Sequence, residues 1–268
     1  MDHAIHSGSS VDTFPSYKKP PVNEVVCGVR FHTPDKLRIP HIGLLWDKFR
    51  HNYPIIQHSP PIAGAKGEIP VDYIIGLPLP RVWFINKSDD QLIQFQFDRF
   101  YFNWRRRQEV YPRYPYVIKN FESVLDTIEN FFNEFELGKL KPIEYELSYI
   151  NHIQKGQEWN TIDDLQKIFF DFNWRRAAER FLPSPENITW QTNFPLPQKK
   201  GFLIVNLKQA IRTEDKVPLF VFELTARGLN EATNRKAFRE WFDVAHEWIV
   251  RGFTDLTTPE IQRFWGRE

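Results

Sequence analysis

The sequence predicts an α+β fold in which two internally duplicated units build an antiparallel sheet with helices on one face. Two β-rich runs that begin at a proline, 21–31 and 142–152, stand about 120 residues apart. Each run precedes a stretch with helical apolar spacing, then two or three strands and a long second helix. Pairs of such strand-helix-strand-strand(-strand)-helix units commonly share one sheet. The 41% hydrophobic and 26% charged residues are ordinary for a globular chain of 268 residues.

The first half, 21–141, contains every element of this unit. After the first strand, the apolar face of a helix is expected from Ile42, Leu45, Trp46 and Phe49. A Pro-Leu-Pro segment at 78–80 leads into a strand that ends at 86, and alternating apolar residues predict another strand over 92–102. The long helix is indicated by Ile118, Phe121, Leu125, Ile128, Phe132 and Phe135.

The second half, 142–256, repeats this order. Thr161 and Asp164 have the spacing of a capping box, which predicts a helix start before Leu165 and an apolar face that reaches Phe172. A second Pro-Leu-Pro segment at 195–197 leads into a strand over 202–206, and another strand is expected over 217–226. The long helix is indicated by Phe238, Trp241, Ala245, Trp248 and Gly252.

Two terminal segments flank these halves. Residues 1–20 are polar and rich in small residues, so we expect a flexible leader. Residues 257–268 form a tail in which Thr258 and Pro259 predict the start of a short helix that carries Phe264 and Trp265. We therefore expect one compact duplicated domain rather than two separate ones.

Composition excludes several classes of protein. The single cysteine, Cys27, excludes a disulfide scaffold and a thiolate zinc site. The histidines show no metal-binding spacing and the glycines no nucleotide fingerprint, so neither a metal nor a cofactor is expected. No apolar run is long enough to span a membrane, and the first residues do not resemble a signal peptide, which predicts a cytoplasmic protein.

Residues 97–116 have the most unusual local composition, because arginines alternate there with aromatic residues. The candidate binding residues are Arg99, Asn103, Trp104, Arg105, Arg106, Tyr111, Arg113 and Tyr114. Such a segment can clamp phosphates and stack bases, which would make it a nucleic-acid or nucleotide site. It can equally be a strand with a buried aromatic face that leads into arginines paired with acidic residues. The net charge of +1 gives no support to a polyanion partner.

Other residues are candidates on weaker grounds. His246 lies beside the apolar stripe of the last long helix, and Phe264 and Trp265 are surplus aromatics in the tail, so all three are candidate partner or ligand contacts. Cys27 with nearby histidines, or a pair of strand carboxylates from Glu24, Glu144 and Glu223, could support catalysis if they faced one cavity. Otherwise Cys27 is a small buried hydrophobe and each carboxylate binds an arginine.

Three segments carry a resemblance to a known family. They are the run 21–31, the segment from Arg99 through Asn103-Trp104-Arg105-Arg106 to Tyr111-Pro112-Arg113-Tyr114, and the stretch from His246 to the last helix. These segments resemble a sporadically distributed family of bacterial proteins of about this length with no assigned activity. The resemblance covers residues 20–268 and implies no catalytic residue. The patchy distribution of the family implies a defence or toxin–antitoxin setting, in which such proteins act with partners.

The expected function is therefore that of a non-enzymatic binding protein, which engages a protein partner or a second copy of itself. Aromatic residues and arginines are typical of protein interfaces. Recognition of nucleic acid or a nucleotide through 99–113 is one alternative, and an enzyme of unrecognised type is another. Doubled βαββ units also resemble the small-molecule-binding modules of some bacterial transcription effectors. The open face of the sheet, or the seam between the halves, is the expected ligand surface.

Overall fold

Nine strands form a single antiparallel sheet in the computed structural model, which describes residues 14–63, 80–107, 110–172, 181–232 and 234–268. The strands are β1 (Val22–Phe31), β2 (Ile55–Ser59), β3 (Arg81–Ile85), β4 (Gln91–Gln96), β5 (Arg99–Arg105), β6 (Pro142–Gln154), β7 (Thr189–Pro195), β8 (Phe202–Ile211) and β9 (Pro218–Gly228). The helices in this part of the chain are α1 (Ile39–Phe49), α2 (Tyr114–Glu134), α3 (Leu165–Ile168), α4 (Arg235–Leu256) and α5 (Pro259–Phe264). The predicted α+β class is confirmed.

The two predicted halves meet at the centre of this sheet. Strand β1 pairs with β6 in antiparallel register, so that Cys27 lies opposite Leu147. Outward from this pair the first half continues as β5, β4, β3 and β2, and the second as β9, β8 and β7. Both halves therefore contribute to one sheet, and β2 and β7 are its edges.

Alternation along each strand separates the two faces of the sheet. In β1, Val25, Cys27 and Val29 are buried in the hydrophobic core, whereas Glu24 and Val26 line the opposite, open face. This follows from strand geometry, because successive side chains point to opposite faces. The core lies on the face that the helices cover, and the open face carries mainly polar side chains.

The long helices α2 and α4 form the layer above the core. Phe121 of α2 has ring-centroid distances of 5.8 Å to Phe238 and 5.2 Å to Phe242 of α4. At the surface, Arg239 of α4 forms a 3.1 Å ion pair with Glu122 of α2. The apolar stripes predicted these two helices correctly, since each stripe points toward the sheet and the neighbouring helix.

Two predicted elements differ from the observed ones. The stretch 92–102 is a hairpin of β4 and β5, because Phe97 and Asp98 form a turn where one strand was expected. The capping box is present, with Thr161 N donating to Asp164 Oδ2 at 2.9 Å, but only a 3₁₀ turn and the four residues of α3 follow. Phe169 is extended (φ −121°, ψ 136°), so the helix ends before Phe172.

The two Pro-Leu-Pro segments lead into strands at different positions. Residues 78 and 79 lie outside the described residues, but the following strand is β3. Counted outward from the central pair, β3 is the fourth strand of its half, whereas β8 is the third strand of the other. The sequence match between these segments therefore does not correspond to equivalent places in the sheet.

Candidate functional site

A cavity of about 230 Å³ lies between the sheet and the helix layer, close to the seam of the two halves. Tyr149 of β6 and Leu224 of β9 contribute from the sheet, and His246 of α4 contributes from the helix layer. Tyr114 at the start of α2 lines another side. We call it the aromatic cavity. Its remaining lining residues are Phe14, Pro15, Ser16, Tyr17, Pro20, Val22, Tyr111, Arg113, Pro115, Asn151, Ile249, Val250 and Phe253.

Three polar side chains form a connected chain at the wall of the aromatic cavity. The hydroxyl oxygens of Tyr111 and Tyr149 are 2.9 Å apart, and the Tyr149 hydroxyl is 3.1 Å from His246 Nδ1. Burial raises the pKa of both tyrosines, and burial lowers the pKa of His246 to about 4. All three side chains are therefore neutral at neutral pH, and they exchange hydrogen bonds without carrying charge.

The His246 ring is held by aromatic neighbours. It stacks on Tyr114 with a centroid distance of 3.9 Å and an interplanar angle of 6°, and Phe14 meets it edge-on at 5.8 Å. Tyr114 is positioned in turn by its hydroxyl, which donates to Asp243 Oδ1 at 2.9 Å. One helical turn separates Asp243 from His246, so α4 supplies both anchors of this stack. The orientation of the imidazole is thereby determined by packing as well as by its hydrogen bond.

Residues 14–20, which belong to the predicted leader, form a further wall. Tyr17 is buried, and its hydroxyl is 2.8 Å from Thr254 Oγ1 of α4. Backbone hydrogen bonds of 3.0 Å join Lys18 N to Gly266 O and Lys19 N to Trp265 O. This segment is therefore bound to the C-terminal tail. Residues 1–13 lie outside the described part of the chain.

Arg113 connects this wall to the start of α2. Its backbone has φ 70° and ψ 158°, a conformation that a non-glycine residue rarely adopts. This turn brings Tyr114 into the cavity wall, and Pro115 is compatible with the first turn of the helix because its missing N–H would have no partner there. The Arg113 side chain donates from Nη2 to Tyr17 O at 3.1 Å.

The predicted binding residues separate into several environments. Tyr111, Arg113, Tyr114 and His246 come together in the aromatic cavity. Trp104 is instead buried, with its ring 5.2 Å from that of Tyr111. It supports the wall of the cavity without lining it.

The remaining candidates in β5 face the other side of the sheet. Arg99 donates from Nη2 to Asp98 at 2.7 Å, Asn103 donates to Glu24 at 2.6 Å, and Arg105 forms an ion pair with Asp89. Arg106, which follows the strand, donates from Nη2 to Pro20 O at 2.8 Å. Strand alternation therefore divides the segment between the two faces of the sheet.

The arrangement of this segment also bears on nucleic-acid recognition. Phe100, Phe102 and Trp104, whose rings would have to stack on bases, are buried in the core. The guanidinium groups of Arg105 and Arg106 are already bound within the chain. Over 100–106, the aromatic and basic residues therefore do not form a shared surface.

The two tail candidates differ in exposure. Trp265 is buried, with its ring 5.2 Å from that of Phe253 and 6.5 Å from that of Tyr17. Phe264 is 56% exposed. The tail therefore contributes one residue to the core next to the aromatic cavity and presents the other at the surface.

The residues considered for catalysis do not gather at the aromatic cavity. Cys27 is completely buried on the core face, and burial raises the pKa of its thiol. Glu24 and Glu223 share a second cavity on the open face of the sheet, whereas Glu144 is outside its lining. In the described ranges, no three His, Cys, Asp or Glu side chains are grouped to hold a metal ion, and no helix is long and apolar enough to cross a membrane.

Sequence reasoning missed most of the lining of the aromatic cavity, including Tyr149 and Phe14. Tyr149 follows Tyr145 and Leu147 at period two, so strand alternation alone would have placed it on the core face. Phe14 lies in a polar segment without periodicity, and its contact with His246 joins residues more than 200 positions apart. No local pattern predicts such a contact.

Comparison of the chain with protein-family models and with curated proteins finds no match.

Proposed function

We propose that the protein is a non-enzymatic binding protein that holds a small, neutral and largely apolar molecule in the aromatic cavity. The observation that carries this proposal is the chain Tyr111–Tyr149–His246 at the wall of a cavity of about 230 Å³. Pockets for small molecules are typically lined by apolar and aromatic groups with a few converging polar ones. The aromatic cavity has this composition.

The neutrality of the ligand follows from the charges around the cavity. Among the lining residues in the described part of the chain, Arg113 is the only Lys, Arg, Asp or Glu. Its guanidinium is engaged by Tyr17 O and by Ser16 Oγ, at 3.1 and 3.4 Å. A charged ligand would lose its hydration without gaining a free counter-charge, which is costly. A neutral molecule with one hydroxyl or amide group can instead join the tyrosine–histidine chain.

A binding role fits the chemistry of these side chains better than catalysis. His246, with a pKa of about 4, is a weak base, and an efficient general base has a pKa near the working pH. The raised pKa values of Tyr111 and Tyr149 keep their hydroxyls protonated. These groups can donate and accept hydrogen bonds, but they are poorly suited to proton abstraction or nucleophilic attack.

Fluorescence titration with N-phenyl-1-naphthylamine, a neutral aromatic probe, tests the proposal. We expect saturable binding with one probe per chain. Val250→Phe places a ring in the cavity and should weaken binding at least tenfold. Val244→Phe, the same change on the same helix but outside the lining, should leave affinity within twofold. Absence of saturable binding, or equal affinity in both variants, would contradict the proposal.

A protein partner or a second copy of the chain is the second candidate function. It is favoured by the edge strand β2, in which Ile55 and Ile56 are 42% and 43% exposed, and by the exposed ring of Phe264. An exposed apolar edge strand is a template for pairing with another chain. Light scattering should give a dimer mass that Ile56→Lys reduces to a monomer mass. A wild-type monomer that captures no partner would exclude this candidate.

We further infer that the halves derive from a duplication, in a cytoplasmic protein of a bacterial defence system. The duplication is supported by strand order, because each half has its first strand at the centre, its last strand beside it and earlier strands further out. The long helices α2 and α4 each follow the last strand of their half. The defence setting is supported by the family resemblance alone.

A further inference from the structure

A second cavity, of about 350 Å³, lies on the open face of the sheet, opposite the helix layer. It crosses the seam between the halves, because its lining comes from β3, β4 and β5 on one side and from β6 and β9 on the other, with β1 between them. We call it the seam cavity. Its charged lining residues are Glu24, Glu146, Glu223, Arg81, Arg105 and Arg227. The aromatic cavity and the seam cavity are separate, since the sheet lies between them.

Carboxylates line the side of the seam cavity formed by β1, β6 and β9. Glu146 forms an ion pair of 2.8 Å with Arg227. Glu24 accepts a hydrogen bond of 2.6 Å from Asn103 Nδ2, and Glu223 accepts one of 2.9 Å from Thr225 Oγ1. Within the described chain, neither Glu24 nor Glu223 has a cationic side chain within 4.0 Å. Neither carboxylate is therefore paired directly with a cation, although Arg105 and Arg107 attract Glu24 at longer range.

Hydrogen-bond donors line the side formed by β3 and β5. Arg81 Nε, Trp83 Nε1 and Arg105 Nε are buried, and in the part of the chain that the structure describes they have no acceptor. The other guanidinium nitrogens of Arg81 donate to Gln94 and Ser59, at 3.0 and 2.6 Å. Buried donors without acceptors are uncommon in native proteins and call for an explanation.

A hydrogen-bond chain joins these two sides across four strands. Arg81 Nη1 donates to Gln94 Oε1 at 3.0 Å, and Gln94 Nε2 donates to Asn103 Oδ1 at 2.9 Å. Asn103 Nδ2 then donates to Glu24 Oε1. Every bond points from the guanidinium toward the carboxylate, so the chain is polarised along its length. The seam cavity is therefore electrically positive toward β3 and negative toward β1 and β9.

We propose that the seam cavity binds a small zwitterion, with its ammonium group between Glu24 and Glu223 and its carboxylate toward the unpaired donors of β3 and β5. Such a ligand supplies the missing cation and the missing acceptor together. Arg105, Glu24, Ile150 and Glu223 occupy one row across adjacent strands. The midpoint between Glu24 and Glu223 lies at Ile150, two strand spacings from Arg105, or about 10 Å between Cα atoms. An ammonium and a carboxylate separated by a short alkyl chain suit this span, and Ile150 and Val26 give the alkyl chain an apolar floor.

Burial of the carboxylates supports this assignment. Burial raises the pKa of Glu24 and of Glu146, which means that their charged forms are poorly solvated. Glu223 adds to the shift of Glu24 by repulsion between the two carboxylates. An ammonium group would relieve both effects.

Isothermal titration calorimetry with the full-length protein tests the proposal. The probes are 4-aminobutyrate and 6-aminohexanoate, with n-butylamine and butyrate as single-charge controls. We expect at least one amino acid to bind ten times more tightly than either control. No binding by either amino acid would overturn the proposal. Equal binding by n-butylamine would overturn it in favour of a simple cation site.

Two isosteric variants locate the site. Glu24→Gln and Glu223→Gln retain an oxygen that can accept the hydrogen bonds from Asn103 and Thr225. Each substitution should lower the affinity for the amino acid at least tenfold. Glu144→Gln is the matched control, because this residue lies two positions from Glu146 on the same strand but outside the lining. Circular dichroism verifies that each variant is folded. Unchanged binding in both cavity variants would place the ligand elsewhere and overturn the assignment.

Discussion

The ring of Tyr101 lies directly over Gly28, its partner across β1 and β5. A Cβ atom at residue 28 would be 2.3 Å from Tyr101 Cδ1, well inside van der Waals contact. The missing side chain of the glycine thus creates the space into which the ring packs, at the floor of the seam cavity. Tyr101 is only 8% exposed, so the ring has little room to move away.

Gly28→Ala should destabilise the protein by about 1–3 kcal/mol, because the new methyl group overpacks the site. Chemical denaturation measures the free energy of unfolding. Gly43→Ala is the control: this helical glycine has nothing within 4 Å of the added atom, so the substitution should be neutral or stabilising by up to about 1 kcal/mol. In a Tyr101→Ala background, the cost of Gly28→Ala should fall. Additive effects of the two substitutions would show that the ring is not the obstacle.

The elements of this fold that sequence predicts well are those with a strong apolar period. The stripe through Phe121 and Phe132 places α2, because its buried face repeats with the geometry of a helix. The hairpin at Phe97 and Asp98 was missed, because alternation through Ile93, Phe95 and Phe97 predicts one strand over 92–102. The apolar period shifts by one residue between Phe97 and Phe100, where the turn lies.

The candidate sites depend on contacts that no period encodes. For residues 99–113 the sequence left open both a binding segment and a strand with a buried aromatic face, and alternation sends Asn103 to the seam cavity and Trp104 into the core. The aromatic cavity needs Tyr149 and His246, which lie 97 positions apart, to meet within 3.1 Å. Tertiary packing decides such pairs: the sequence indicated His246 as a candidate but not Tyr149 as its partner.

Stability should fall in acid because of His246. In the folded protein its pKa is about 4, below the ordinary value of 6.5. The neutral imidazole therefore contributes fully to the free energy of unfolding above pH 6.5, and this contribution is lost as the pH falls toward 4. Between pH 7 and pH 5 the loss is about 2 kcal/mol. His246→Phe keeps an aromatic ring against Tyr114 but cannot titrate, so its urea midpoint should depend less on pH. Identical pH profiles of the two proteins would contradict a buried neutral imidazole.

At position 113, replacement by glycine should destabilise the protein less than replacement by alanine. Both substitutions remove the bond to Tyr17 O, but only glycine adopts φ 70°, ψ 158° without strain. Arg113→Gly should therefore be more stable than Arg113→Ala by about 1 kcal/mol, despite the entropy that glycine adds to the unfolded chain. Thermal melts of both variants measure the difference. The reverse order would mean that the backbone at this position is unstrained.

Replacing Arg105 and Arg106 together should reduce stability, because both guanidinium groups are bound within the chain. We expect the Arg105→Ala, Arg106→Ala protein to lose roughly 1.5–3 kcal/mol, the range for a hydrogen bond to a charged group. Lys236→Ala, at an 88% exposed side chain, is the control and should change stability by less than about 0.5 kcal/mol. A double variant of wild-type stability that loses oligonucleotide binding, with a smaller salt dependence, would instead support the nucleic-acid alternative.

Cys27 should be unreactive until the protein unfolds. Its side chain has no exposed surface and lies on the core face of the central strand, so a reagent cannot reach the sulfur. Burial also raises the pKa of the thiol, which keeps it protonated and unreactive. With an aromatic disulfide reagent at pH 8, the native protein should release no thiolate over minutes, whereas the protein in denaturant should release one equivalent. Cys27→Ala should cost about 1–2 kcal/mol and leave binding of the naphthylamine probe unchanged. Rapid reaction in the native state would show that the core opens at β1 and would restore the thiol as a candidate nucleophile.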